Sequence, residues 1–228
     1  RAGEHTDELW SEAGKLGFIG VNLPEEFGGG GAGMYELGLV MEEFSAGGCP
    51  LLMMVVSPAI NGTIIAKFGT DEQKKRWVPS IADGSITMAF AITEPDAGSN
   101  SHRITTTARR DGSDWILSGQ KVWSTWAGFA DLGYLLARTE PEPGPQGITA
   151  FVLDMRSPGV DVRPLRQLTG DAEFDEITEE ARTVTYDVVP GPDGMVRFDI
   201  RGKQVSPEEV SAQILRKLAE KLLTELIT

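Results

Sequence analysis

The stretch Ile86-Thr87-Met88-Ala89-Phe90-Ala91-Ile92-Thr93-Glu94-Pro95-Asp96-Ala97-Gly98-Ser99-Asn100 marks a change of period in the chain. Before Ser85 the apolar residues recur at helical spacing. From Ile86 they alternate, and a strand runs into a turn built on Pro95, Gly98 and Ser99. The sequence therefore reads as α+β: an N-terminal helical domain over 1–84, an antiparallel β domain over 85–177, then a β-hairpin and a C-terminal helix over 178–228.

On the N-terminal side, Leu9, Ala13 and Leu16 share one helical face, which Leu23-Pro24 and a glycine run bring to an end. Met34, Leu37, Val40, Met41 and Phe44 form a second stripe, closed by Gly47-Gly48. A third apolar segment runs from Leu51 to Phe68. Thr70-Asp71-Glu72-Gln73 is a capping box that opens a short helix up to Pro79.

On the C-terminal side, short alternating runs are separated by Asp-Gly, Ser-Gly and Pro-Gly turns. They are Ile86–Ile92, Arg103–Ala108, Trp115–Leu117, Lys121–Thr125, Leu132–Ala137 and Ile148–Leu153. That spacing predicts a sandwich or barrel. An acidic stretch, Asp171–Glu180, carries six acids and no base. Beyond it, Thr183–Val189 and Val196–Ile200 read as strands joined through Gly191-Pro192-Asp193-Gly194. Ser206-Pro207-Glu208-Glu209 then caps a helix with Val210, Ile214, Leu218 and Leu222 on one face.

Lys and Arg total 21 against 34 Asp and Glu, a formal charge of −13. Such a balance opposes a nucleic-acid partner held by phosphate contacts and opposes docking on anionic lipid. Leu51–Ile60 is too short for a membrane span and is broken by Ser57 and Pro58. A single cysteine, Cys49, excludes an internal disulfide framework. Arg1 in place of an initial Met suggests an excised segment, and no secretory signal is visible. A soluble, cytoplasmic protein is expected.

Gly28, Gly30 and Gly33 satisfy the spacing of a dinucleotide fingerprint, yet no strand precedes them, so a turn between helices is expected. His102 lacks a partner histidine or nucleophile nearby in sequence. Glu94 and Asp96 flank Pro95 and read as turn chemistry, and Cys49 reads as packed.

Two segments carry more. At the strand-to-turn segment Phe90–Asn100, backbone N–H groups and hydroxyls could hold phosphate oxygens without any lysine. In Lys121-Val122-Trp123-Ser124-Thr125-Trp126, alternation places Trp123 and Thr125 on one face. An indole beside a hydroxyl donor suits a flat heteroaromatic ligand. Taken singly, each is also an ordinary strand.

Together and in order, these residues resemble the acyl-CoA dehydrogenase family. The match runs from the first residues to about Ile177, through Leu23-Pro24-Glu25-Glu26-Phe27-Gly28-Gly29, Phe68-Gly69-Thr70-Asp71-Glu72-Gln73-Lys74, Ile92–Ser99, and Arg163-Pro164-Leu165-Arg166-Gln167-Leu168-Thr169-Gly170. The resemblance implies FAD in the β domain. It implies that Phe90, Ile92 and Thr93 border the isoalloxazine, with Gly98 and Ser99 near the phosphates and the acyl-CoA entrance. Trp123 would pack on the ring and Thr125 would donate near N5. After that tryptophan the family has Ile-Thr-Asn, whereas here Ser124-Thr125-Trp126 follows, so Trp126 is a departure.

The resemblance further implies an acyl-CoA thioester substrate, an electron-accepting flavoprotein, and removal of an α proton by a carboxylate base as hydride leaves the β carbon. That base usually lies in a C-terminal helical domain that no stretch of this sequence matches, so no catalytic residue is assigned. The expectation is a truncated flavoprotein, not competent alone, with homo-oligomeric or non-specific association through uncovered apolar faces. The alternative is a non-catalytic interaction or vestigial module of chimeric origin. It is motivated by Tyr186–Gly194 and Ile200–Ala212, which resemble part of a DnaK-type chaperone ATPase domain without its phosphate loops.

Overall fold

The computed structural model describes residues 7–141, 147–168, 172–183, 187–188, 198–200 and 203–205. The chain divides into two compact units, Arg1–Val189 and Pro190–Thr228. Four helices open the first unit: α1 (Asp7–Lys15), α2 (Met34–Ala46), α3 (Thr63–Phe68) and α4 (Asp71–Ala82). Trp10 and Ala13 are the buried face of α1, whereas Leu16 lies beyond the helix and is exposed. The Trp10 indole donates to the Gly84 carbonyl at 2.9 Å. That bond fastens α1 to the end of α4.

The run expected over Leu51–Phe68 is helical with a π-type segment, Val55–Gly62, leading into α3. Pro58 lies inside it. A proline has no N–H to give the preceding turn, and a widened turn accommodates that loss. The capping box forms as the sequence suggests: the Gln73 N–H donates to Thr70 Oγ1 and the Thr70 N–H to Gln73 Oε1 at 2.7 Å. The helix continues past Pro79 to Ala82, because Val78, Ile81 and Ala82 are buried against the rest of the unit.

Eight strands form one sheet in the order β6-β7-β3-β2-β4-β5-β8, with β1 joined to β4. They are β1 (Met88–Ala91), β2 (Thr107–Asp111), β3 (Asp114–Thr125), β4 (Leu132–Arg138), β5 (Ile148–Asp154), β6 (Val160–Leu165), β7 (Phe174–Thr183) and β8 (Asp187–Val188). Most pairs are antiparallel, but β1 runs parallel to β4 along Met88–Ala91, and β2 meets β4 in parallel at Thr107 and Arg138. One edge of β4 is thus shared by two strands. Residues 92–106 leave the sheet between them.

Several boundaries differ from the sequence-based expectation. Trp115–Leu117 and Lys121–Thr125 belong to the single strand β3, because Ser118, Gly119 and Gln120 pair through their backbones with Glu180, Glu179 and Thr178 of β7. The run expected over Arg103–Ala108 begins instead at Thr107, after a 3-10 turn at Ser101–Arg103. β6 was not anticipated, and β7 runs unbroken from the acidic stretch across residue 177 to Thr183. Asp187–Val188 pairs with β5. The described hairpin of the second unit joins β9 (Phe198–Ile200) to β10 (Lys203–Val205), not the two runs expected around Gly191–Gly194. That glycine loop and the helix expected from Ser206 onward lie outside the described residues.

Helices and sheet are welded at Met88. Its N–H donates to the buried Ser57 Oγ at 3.1 Å, and its carbonyl accepts from the buried Asn61 Nδ2 at 2.7 Å. Asn61→Ala is expected to lower unfolding stability in urea by about 1–3 kcal/mol, since it leaves a buried carbonyl unpaired. Gly14 makes a second test. Replacing a glycine inside a helix with alanine normally gains about 1 kcal/mol, but a Cβ here would lie 2.0 Å from the Asp83 carbonyl oxygen. Gly14→Ala is therefore expected to destabilise by about 1–3 kcal/mol. An unchanged or raised urea midpoint would contradict the α1–α4 contact.

Candidate cofactor site

β1 and β3 deliver the two sequence segments to one place. The Val122 N–H donates to the Thr93 carbonyl at 2.9 Å, so Ile92 and Thr93 leave β1 alongside the end of β3. Phe90 is half-buried and stacks on Tyr134 with ring centroids 5.9 Å apart. Ile92, Thr93 and Thr125 are partly exposed. Gly98 and Ser99 are exposed in the turn that follows, and a Cβ at Gly98 would meet nothing within 4 Å. That turn is open and forms no preformed cradle around Gly98.

Alternation alone would put Lys121, Trp123 and Thr125 on one face. The structure separates them with a bulge: Lys121 pairs with Ile177, but Ser124 pairs with Asp175, so β3 holds an extra residue there. A bulge of this kind re-aims side chains. Lys121 and Ser124 point inward, while the Trp123 indole is 59% exposed. Trp123 has φ 60° and Trp126 φ 52°. A left-handed backbone at a bulky residue costs about 1–2 kcal/mol and persists only where surroundings impose it. Here the start of β7 and the residue before it supply the restraint. Phe174 lies edge-to-face against Trp123 at 6.0 Å, the Glu173 carbonyl accepts from the Trp126 N–H at 2.9 Å, and Asp175 Oδ2 accepts from the Gly128 N–H at 2.9 Å. Burial raises the Asp175 carboxyl, and the backbone donors at Gly128 and Ala127 counter that rise.

Beneath the surface lies an ion pair that sequence reasoning passed over. Lys121 is 0% exposed and Glu94 4%, with Lys121 Nζ donating to Glu94 Oε1 at 2.8 Å. Glu94 also accepts from the Thr105 N–H at 2.5 Å, the Thr105 hydroxyl at 2.8 Å and the Thr106 N–H at 2.9 Å. Burial by itself would raise this carboxyl, but the hydrogen bonds from Lys121, Thr106 and Thr105, with the Lys121 charge, bring it down to about 2. These same bonds explain the late start of β2, since the N–H groups of Thr105 and Thr106 serve the carboxylate in place of a strand partner, while the Thr106 carbonyl already accepts from Arg138 of β4. Lys121 reaches the Ile92 carbonyl too, at 3.4 Å. Glu94 is therefore the anchor of the turn, not one of a surface carboxylate pair with Asp96, which is exposed. A lysine in an alternating strand, beside a glutamate that precedes proline, was the available signal.

Among the described residues, no cluster of His, Cys, Asp and Glu could hold a metal ion, and no helix is long and apolar enough to cross a membrane. Gly28–Gly33 lies between a 3-10 turn, Glu25–Phe27, and α2, with no strand before it. An apolar cleft of about 590 Å³ lies on the helices, lined by Leu9, Phe18, Leu39, Phe44 and others. It shares no residue with the segments above.

Comparison with known proteins agrees with this architecture. Residues 1–85 match the N-terminal domain of acyl-CoA dehydrogenases and residues 89–180 the middle domain. Acyl-CoA dehydrogenase FadE12 of Mycobacterium tuberculosis is 55% identical over 213 residues, covering 92% of this chain and 54% of the relative. An acyl-CoA dehydrogenase structure from Geobacillus kaustophilus superposes with a TM-score of 0.74 at 31% identity, over 79% of this chain and 49% of that one. A Mycobacterium smegmatis glutaryl-CoA dehydrogenase in complex with FADH2 gives 0.71 at 32% identity, over 82% and 49%. The chain spans about half the length of these relatives. With two adjoining domain matches in the expected order, the chain belongs to the acyl-CoA dehydrogenase family.

Proposed function

We propose that the chain binds FAD where β1 and β3 meet, and that it contributes the flavin-holding part of an enzyme dehydrogenating acyl-CoA thioesters. The observation that carries this is the Val122–Thr93 hydrogen bond, which sets Thr93 beside the strand end bearing Trp123 and Thr125. The residues suit such a group. The exposed, strained Trp123 offers a flat apolar surface, Thr93 and Thr125 offer hydroxyl donors, and Phe90 and Ile92 supply partly exposed apolar walls. Gly98 and Ser99 form an open turn whose backbone and hydroxyl can meet phosphate oxygens. Held by these residues, FAD would supply a hydride acceptor for the β carbon of an acyl-CoA thioester.

In this proposal the chain's residues bind and orient. No proton abstraction is assigned to them: Glu94 is committed to Lys121, Thr105 and Thr106, and Glu179 is fully buried. Turnover by this chain alone is therefore not expected. The acyl-CoA thioester, an electron-accepting flavoprotein and a cytoplasmic location belong to the same proposal. For residues 178–228, the 213-residue alignment with FadE12 cannot lie within the first 177 residues. It favours an acyl-CoA dehydrogenase origin for at least part of that stretch over the splice suggested by its DnaK-type resemblance.

A second reading, an interaction module, has one observation in its favour. Leu16, Phe18, Met34, Tyr35 and Leu39 expose apolar surface on and around α1 and α2. Concentration-dependent association by light scattering is the expected outcome, and a compact monomer at all concentrations would remove this reading.

Titrating the purified chain with FAD, followed by flavin fluorescence, tests the main proposal. Saturable binding is expected, weakened about tenfold by Thr125→Ala and further by Trp123→Ala. Absence of binding by a chain with folded circular dichroism would overturn it, as would affinities unchanged in both variants.

A further inference from the structure

Glu179 is a buried acid outside the site just described. It sits on β7 opposite Gly119 of β3 and Val160 of β6. Its side chain is 0% exposed, and neither carboxylate oxygen has a hydrogen-bond partner. The charged groups facing it are Lys121, which attracts, and Glu94, which repels. From β6 the residue opposite is apolar, and the neighbouring Asp161 and Arg163 pair with each other at the surface. Asp175, four residues back along β7, is held by the Gly128 N–H.

Two carboxylates and one ammonium cannot all be ionised in a dry interior without leaving a negative charge uncompensated. Hydrogen bonding decides which acid keeps its proton. Glu94 accepts four bonds and is the acid held ionised; Glu179 accepts none, and burial makes it the acid that takes up a proton more readily.

We propose that Glu179, Lys121 and Glu94 form a proton-dependent clasp that fixes the Ile92–Glu94 segment against β3. With Glu179 protonated, Lys121 serves the Ile92 carbonyl and Glu94, and the two halves of the candidate site stay in register. When Glu179 releases its proton to solvent, its carboxylate competes for Lys121 and the hold on Ile92 weakens. Lys121 is thus a positioning residue, acting through the backbone of Ile92 and through Glu94. Burial pushes the Glu179 carboxyl up to about 7, which puts the switch near neutral pH. The clasp rests on the flavin proposal only for its consequence on FAD binding.

The sign follows from linkage. An acid whose native value lies above its unfolded value of 4.5 contributes stability below that value and loses it as pH rises to about 7. Glu94, held at about 2, contributes a constant amount above 4.5. Urea unfolding of the full chain without FAD, from about pH 4.5 to about pH 8, is expected to show a falling midpoint that Glu179→Gln does not show. The part of the tryptophan emission lost in Trp123→Phe is expected to shift with a midpoint near 7 in the wild type and to stay flat in Glu179→Gln. FAD affinity is expected to fall about tenfold across the same range, again only in the wild type.

Superimposable stability profiles for the wild type and Glu179→Gln would overturn the clasp, whatever FAD does. Should Glu179→Gln fail to fold, the wild-type chain decides alone: a Trp123-dependent signal that does not move between pH 6 and 8 would overturn it. If FAD binds at no pH while stability and emission titrate, the flavin proposal fails and the clasp stands. If FAD affinity is flat while stability titrates, the coupling to the site fails.

Discussion

The buried pair between Lys121 and Glu94 is the constraint on which the rest of the site depends. An ammonium and a carboxylate removed from water each lose several kcal/mol of hydration, and only close, multiply hydrogen-bonded geometry offsets that loss. Glu94 meets the requirement by recruiting the backbone of Thr105 and Thr106, and Lys121 by reaching the Ile92 carbonyl. Residues 92–106 therefore cannot settle as a regular strand. They leave the sheet, let β1 and β2 share one edge of β4, and open the space beside β3 in which the candidate site lies.

The bulge in β3 complements that pair. Without an extra residue, the face that buries Lys121 would also bury Trp123. With it, charge turns inward and the indole turns outward, at the cost of a left-handed backbone at Trp123 and at Trp126. β7 bears the strain through Phe174 and Asp175, together with Glu173 just before it. Two strands of remote sequence thus cooperate: β7 shapes the end of β3, and β3 through Lys121 shapes the exit from β1. Family membership agrees with this arrangement, since the middle-domain match spans β1 through most of β7.

The acidic segment Asp171–Glu180 shows how composition can hide structure. Six acids in ten residues argue for a solvated stretch. Yet Asp175, Ile177 and Glu179 alternate inward along a strand, the first held by a backbone donor and the last within the field of the buried Lys121. Inward burial of acids is tolerated only where such partners or a retained proton exist. Neither a partner from another strand nor a proton can be read from composition.

Local signals were sufficient for much of the fold. The change of period at Ser85 and the capping box at Thr70 depend on neighbours in the chain, and each appears where the sequence places it, as do the strands β4 and β5, although consecutive residues of both are buried and neither alternates. The Val122 N–H to Thr93 carbonyl bond also sets the two segments singled out in the sequence side by side, segments that only resemblance to a family pattern, and not spacing, had linked. What tertiary structure alone decided was the inside and outside of β3, the pairing of Lys121 with Glu94, and the identity of the acidic stretch as a central strand. The physical reason is common to all three. Each is settled by desolvation and hydrogen bonding between residues 27 or more positions apart, and the period of a single segment carries no information about the partner that will bury it.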